Sequence, residues 1–545
     1  MARMTRFGLC ASALAMVCFA VADPKRIVGY YTDWSIGRGY EVAEIPGNRI
    51  DVVNYAFATL NADYTVSPSS VYNATQRPLA SDDLSLPFRG NYNQLYVLRK
   101  NYPHIKALIS IQGTASRFSA LASTSSGRST FSTSLKNFLV TYKFDGVDID
   151  WEFPVSSTGN AADKHNFTLL MQQIRDDMNV QSVLDGKRYF LTAAVSGGYP
   201  NVADLEVGLL LQECDWLNFM GYDYAGLWSN TTGHLAPLYG RYGANSTSDK
   251  WCIHYCLNTY QTAGGNLGQF TLGVPFYARG WRDVPSTGNG LRQTGSGGSP
   301  GTWGTGTYGY ADVVSLPGTN GYVRYWDATQ QAAYLYSPTH NNGTFITYED
   351  LSAIATKSAY VNSRNMGGLM TWELSGDTTG SNSLLTAMAV GLNPYTIAPV
   401  AEAIVLGRPG IGSIENLELS DSANRVLQGV VAQAPDAPYA RVEFSATANT
   451  KNPQEVRFRL KHFTTARNAT FRIEFWDYTT NQYVPVQDGT VNGFVTQVEP
   501  IGSNPTRFVS LFTGQMKVRV TYKTSRKNTT GDVWIDQAIW LLKRQ

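Results

Sequence analysis

Eight short runs of β-branched and aromatic residues recur between residue 26 and about residue 375, each followed by a longer polar–apolar stretch. They are Arg26–Tyr31, Asp51–Phe57, His104–Gln112, Phe144–Glu152, Arg188–Val195, Trp216–Tyr224, Gln269–Ala278 and Gly367–Ser375. Several intervening segments have helical periodicity, for example Phe167, Leu170, Met171, Ile174 and Met178. A strand, a helical return and another strand make a parallel pair, and eight such units predict a closed α/β TIM barrel. The interval between the seventh and eighth runs is far too long for one helix. Residues 279–366, rich in Gly, Tyr and Trp, are therefore expected to form an inserted α+β module.

Near residue 395 the pattern changes. Residues 395–413 carry Pro and Gly and read as a linker closing a barrel domain of 23–394. Beyond it, Val442–Phe444, Val456–Leu460, Phe471–Phe475 and Met516–Val520 alternate apolar with polar residues, which predicts an antiparallel β-sandwich over 414–545. Its Trp476, Tyr478, Tyr483, Trp534 and Trp540 fit a sugar-binding platform and a sandwich core equally well, so an accessory carbohydrate-binding role stays open for this domain. At the other end, Arg3 and Arg6, the apolar Phe7–Val21 and the small-x-small Ala20-Val21-Ala22 read as a signal peptide over 1–22. With seven Asn-x-Ser/Thr triplets, this predicts a secreted glycoprotein. A formal charge of +2 gives no reason to expect nucleic acid or an anionic membrane as a partner, and a monomer is expected. Cys252-Ile-His254-Tyr-Cys256 lacks a second ligand pair, so neither metal nor cofactor is expected.

The densest chemical signal is Asp145-Gly-Val-Asp148-Ile-Asp150-Trp-Glu152 in the fourth run. On a strand, alternate side chains share a face, so Asp148, Asp150 and Glu152 point into the barrel while Val147, Ile149 and Trp151 meet the helices. Carboxylates near a strand's C-terminal end lie where barrel enzymes place catalytic groups. Their mutual repulsion is expected to raise at least one pKa and keep a proton available near neutral pH. Acidic residues alternating with aliphatic ones in a buried strand are costly without such a task.

This octet resembles the Asp-x-x-Asp-x-Asp-x-Glu signature of glycoside hydrolase family 18, the chitinase family, and the resemblance extends over about residues 26–390. It implies a secreted chitinase that cleaves β-1,4-linked N-acetylglucosamine polymers with retention, acting on chitin and chitooligosaccharides. By the resemblance Glu152 protonates the glycosidic oxygen and the substrate's own 2-acetamido group is the nucleophile. Asp150 then orients that group and shares a proton with Asp148. Met220-Gly-Tyr222-Asp223 resembles the family's Met-x-Tyr-Asp motif, with Tyr222 on the acetamide oxygen and Asp223 and Met220 lining the same subsite. Trp372 in Gly368–Trp372 resembles the floor under the distorted sugar, Tyr30 and Phe57 resemble pocket-lining aromatics, and Tyr277 and Arg279 resemble sugar contacts. Trp228 resembles a platform beyond the cleavage point. The chain departs from the family at Ser110-Ile-Gln112-Gly113, where Gln112 replaces a usual glycine. Two further readings remain beside the chitinase: a lectin-like relative, which would have lost the acid that this chain keeps at Glu152, and an endo-N-acetylglucosaminidase acting on N-glycans.

Overall fold

A computed structural model describes residues 25–545 except 244, 246–248, 393–395, 398, 411–416, 418–424, 449–452, 454, 467, 492–495, 499–500, 503, 512, 526–530 and 544–545. The expected signal peptide therefore lies outside the described residues. Eight strands pair in parallel and close on themselves: β1 Arg26–Thr32, β2 Val52–Leu60, β3 Lys106–Gln112, β4 Gly146–Asp150, β5 Phe190–Val195, β6 Trp216–Phe219, β7 Phe270–Pro275 and β8 Gly368–Trp372. Closure is made by β8 against β1, with Arg26 opposite Gly368 and Val28 opposite Met370. All eight predicted runs are strands of this TIM barrel, although β6 stops at Phe219 and leaves Met220–Tyr224 in the following loop.

The two-sided burial of a barrel strand shows in β4, where all five residues are buried. Val147 and Ile149 join the core shared with the surrounding helices. Trp151, just beyond the strand, lies 5.5 Å from Phe118 at an interplanar angle of 14° and meets Phe167 edge-on. These two rings belong to the helices Ala115–Ala122 and Asp163–Asp185. Inside the barrel a separate cluster of Val28, Tyr30, Ala56, Phe57, Trp216 and Met370 fills the lumen below the strand ends.

The insertion is built on an antiparallel sheet that starts at Tyr277–Arg282 and ends at Thr344–Tyr348. The helix Leu351–Ser363 follows it and leads into β8, burying Ile354, Tyr360 and Val361 in a core shared by barrel and insertion residues. The expected linker is revised: Thr396–Ile397, Ala401–Leu406 and Arg408–Pro409 are strands of the C-terminal sheets. Pairing of Ala401–Leu406 with Pro438–Thr447 gives its backbone groups partners that an isolated linker would lack.

The C-terminal region forms two antiparallel sheets whose inner faces share one core. Trp540 stands at its centre, with ring centroids 5.1 Å from Phe458 and 5.2 Å from Phe475. Trp540 is therefore core, and Trp534 stacks on Phe463 at 5.5 Å. Of the aromatics considered for a platform, Trp476, Tyr478, Tyr483 and Trp534 are half-buried. Among the described residues, no helix is long and apolar enough to cross a membrane.

Candidate active site

A cleft of about 330 Å³ opens at the C-terminal ends of the barrel strands. Every barrel strand or the loop after it contributes to its wall: Tyr30, Phe57, Gln112, Asp150 with Glu152, Ala194, Met220 with Tyr222 and Asp223, Tyr277 with Arg279, and Trp372. Eleven of the twelve expected site residues are accounted for by this cleft or the layer beneath it, where Asp148 lies. Trp228 is the exception: it is 63% exposed, outside the lining, with its ring 5.6 Å from the Arg279 guanidinium carbon. Trp34, Trp303 and Thr307 line the cleft but were not singled out in the sequence.

Asp148 is completely buried, and both of its oxygens are occupied. Oδ2 accepts from the Tyr30 hydroxyl at 2.7 Å and from Ser110 at 2.8 Å. Oδ1 accepts from Thr192 at 2.6 Å and from the Asn218 amide at 3.0 Å. Burial raises its pKa, and these four donors pull in the opposite direction because they favour the carboxylate. Asp148 is thus held by four donors on β1, β3, β5 and β6.

Asp150 is the opposite case. It is buried, and its Oδ1 has no hydrogen-bond partner among the described residues. Its pKa is raised well above the carboxylate range by burial first, then by the negative charges of Glu152 and Asp148. Glu152, beyond the end of β4, opens to the cleft, yet the surrounding walls exclude enough water to raise its pKa, and the Asp223 charge adds to that effect. The expected elevation is present, but burial outranks mutual repulsion as its cause at all three carboxyls.

The aromatic floor is a packed unit. Trp372 stacks on Phe57 at 5.7 Å and 27° and leans on Tyr30 at 5.4 Å. Tyr222 meets Tyr277 edge-on at 6.2 Å. Arg279 lies on the first strand of the insertion, outside β7, and pairs with Asp223 at 3.1 Å while donating to Thr307 at 2.9 Å. Close approach of β7 sets the place of Tyr222: a Cβ on Gly273 would stand 2.5 Å from the Phe219 carbonyl oxygen and 2.8 Å from a Tyr222 ring carbon. Gly273→Ala is therefore expected to displace Tyr222 and lower kcat about 10- to 100-fold. The accompanying overpacking should cost about 1–3 kcal/mol. Steady-state kinetics on chitooligosaccharides beside thermal unfolding checks both numbers.

The Cys252–Cys256 segment lies elsewhere, with the Cys256 thiol on the Lys250 carbonyl at 3.5 Å and His254 Nδ1 on the Tyr360 hydroxyl at 2.9 Å. Among the described residues, no group of three or more His, Cys, Asp and Glu is placed to hold a metal ion.

This architecture has known counterparts. The chain is 35% identical over 439 residues to Chitinase A1 of Niallia circulans, covering 71% of this chain and 61% of that protein. It is 31% identical to Chitinase 1 of Aphanocladium album, covering 67% of this chain and 84% of that one. The match thus spans less than two thirds of the Niallia protein and most of the Aphanocladium one. Among solved structures, Chitinase ChiA74 from Bacillus thuringiensis shares the fold with a TM-score of 0.64 at 24% identity, covering 95% of this chain and all of that one. Residues 26–377, which carry the eight strands, the insertion and every side chain of the cleft, match the family Glycosyl hydrolases family 18, to which this chain belongs.

Proposed function

We propose that this chain is a secreted chitinase that hydrolyses β-1,4-linked N-acetylglucosamine polymers with retention, using Glu152 as general acid and base. The observation that carries the reading is the pairing of a cleft-facing, protonation-prone Glu152 with a buried Asp150 that has an oxygen to spare. The raised pKa shifts Glu152 toward the acid form, which can deliver its proton to a leaving oxygen. The names of the relatives, Chitinase A1 and Chitinase 1, support the substrate class. The leader-like residues 1–22 support secretion.

In this mechanism the sugar preceding the scissile bond rests on Trp372, whose indole face suits the apolar side of a pyranose. Glu152 transfers its proton to the glycosidic oxygen as the bond from that oxygen to the anomeric carbon breaks. The acetamide carbonyl oxygen of the same sugar forms the new bond to the anomeric carbon, giving a cyclic oxazolinium ion. The Tyr222 hydroxyl donates to the acetamide oxygen and aligns it. Asp150 faces the acetamide nitrogen, and with Asp148 below it steadies the positive charge that develops. Glu152, now a carboxylate, takes a proton from a water that attacks the anomeric carbon on the face the leaving sugar vacated. The oxazolinium ring reopens and the anomeric configuration is retained. Because the internal nucleophile is an acetamide, a polymer of plain glucose is not a substrate. The departure from the usual two-carboxylate scheme is that no second protein carboxylate bonds to the sugar.

Incubation of residues 23–545 with N-acetylglucosamine hexamer tests the reading. Short acetylated products whose new reducing ends appear first as the β-anomer are expected. Binding without cleavage would overturn the hydrolase and leave a lectin-like protein, and first appearance of the α-anomer would overturn retention.

A further inference from the structure

One guanidinium joins three segments that are distant in the chain. Arg38 ends the turn Ser35–Arg38 after β1 and donates to Glu373 Oε1 at 2.5 Å. The same group lies over the indole of Trp303, its central carbon 3.8 Å from the ring centroid. Glu373 directly follows the floor residue Trp372 and has a side chain only 1% exposed. It also accepts from Ser375, whose amide donates to Oε2 at 3.0 Å and whose hydroxyl donates to Oε1 at 2.8 Å, and from the Ser35 hydroxyl, which donates to Oε2 at 3.3 Å. Trp303 belongs to the insertion and packs with Tyr277, Tyr222 and Trp372 in one cluster. Two points of its edge are closed by backbone: a Cβ on Gly309 would come within 3.0 Å of Nε1, and one on Gly376 within 3.0 Å of Cη2.

An exposed ion pair of ordinary kind contributes little and would merit no role. This one differs in two respects. Its carboxylate is buried, so losing Arg38 would leave that group with serine donors alone and no cation beside it. Its cation also has a flat face occupied by an aromatic ring, a geometry that lysine cannot reproduce. The pair therefore ties the end of β8, which presents Trp372, to the insertion, which presents Trp303.

We propose that Arg38 is a positioning residue for substrate binding, holding Trp303 by stacking and Trp372 through Glu373, so that the two indoles frame a single stretch of N-acetylhexosamine chain. The inference rests on the functional reading above. Its effect belongs in affinity: two platforms at a fixed separation bind a sugar chain without first losing the freedom of loose side chains.

The test is calorimetric binding of N-acetylglucosamine hexamer to the full chain carrying Glu152→Gln, which removes turnover from the measurement. Adding Arg38→Ala is expected to weaken binding about tenfold. Arg38→Lys, which keeps the charge beside Glu373 and loses the planar stack, should recover only part of that loss. In a chain that already carries Trp303→Ala, Arg38→Ala should cost markedly less than it does alone, because part of its action passes through that ring. In the Glu152 background of the natural chain, KM should rise with the same ranking while kcat changes less. Undiminished affinity in Arg38→Ala, full recovery by lysine, or strictly additive losses would each overturn the proposal. If Arg38→Ala lowers the unfolding temperature too far for binding to be measured, Arg38→Lys with and without Trp303→Ala decides the matter by the same non-additivity. A natural chain that neither cleaves nor binds the hexamer overturns the functional reading, and this inference with it. A chain that binds while the Arg38 variants bind identically overturns the inference alone.

Discussion

Replacing Glu152 by glutamine is expected to lower turnover by about 10²- to 10⁴-fold while hexamer affinity stays close to that of the natural chain. The amide has nearly the same shape and no proton acidic enough to transfer, so only the acid–base step is removed. Stability should change little, because Glu152 opens to the cleft and its surroundings act on it through burial and the Asp223 charge. The pH profile gives a second readout. The acid form is the active one at the first step, and its pKa is raised, so kcat/KM should fall as pH rises through that raised value. In Glu152→Gln that alkaline limb should vanish from the residual rate. Asp223→Asn removes a charge that holds the Glu152 pKa up, so the limb should move to lower pH in that variant. Product analysis by mass spectrometry and a pH series of initial rates decide the point. Near-normal turnover in Glu152→Gln would remove this residue from the chemistry.

The parts of this molecule that repeat with a period were legible in the sequence. β1 to β8 announce themselves because a strand buried on both faces is a short apolar run, and Asp148, Asp150 and Glu152 stand out because they interrupt such a run at alternate places. Tyr30, Phe57 and Trp372 were found through the family resemblance, since a lone aromatic in a strand looks like core. They are in fact both, packed against one another and lining the cleft. What stayed hidden depends on contacts across long sequence separations. Ser110, Thr192 and Asn218 are unremarkable polar residues until closure of the barrel points all three at Asp148. Trp303 and Arg38 are separated by most of the barrel, and nothing periodic marks either. The linker reading failed at Ala401–Leu406 for a related reason: its neighbours Pro394 and Gly407 suggested a break, while the alternation within it was short and its partner strand lies some forty residues on. The relative weight of burial and repulsion at the carboxyls was also beyond the sequence, because alternation shows that charges are close and not how dry their surroundings are.

The same substitution two residues apart should have opposite effects on stability. Asp150→Asn is expected to raise the unfolding free energy of the barrel at neutral pH by about 1–3 kcal/mol. Asp148→Asn is expected to lower it by a similar ~1–3 kcal/mol. For Asp150 the sign follows from proton binding. Its folded pKa is raised well above the ordinary aspartate value of about 3.9. Between those two values the folded chain keeps a proton that the unfolded chain has released, so stability falls as pH rises across the window. Asparagine carries no such proton, and the advantage of Asp150→Asn should grow from about pH 4 upward and level off above the folded pKa. At Asp148 burial also raises the pKa, but four donors converge on the side chain and set the larger part of its stability effect. An amide there presents its own N–H groups to one pair of those donors, and the Asn218 amide or a hydroxyl loses its acceptor in a site without water to replace it. Both variants should lose most of their turnover, so activity alone does not separate the two residues, whereas thermal unfolding followed at a series of pH values does. Parallel curves for Asp150→Asn and the natural chain would mean that Asp150 is ionised in the folded state, and the charge available to the acetamide would then be present before the substrate arrives. A widening gap would mean that the fold maintains a neutral acid at Asp150 against the cost in stability, which is what a site that must first bind a neutral acetamide and only later face a cation requires.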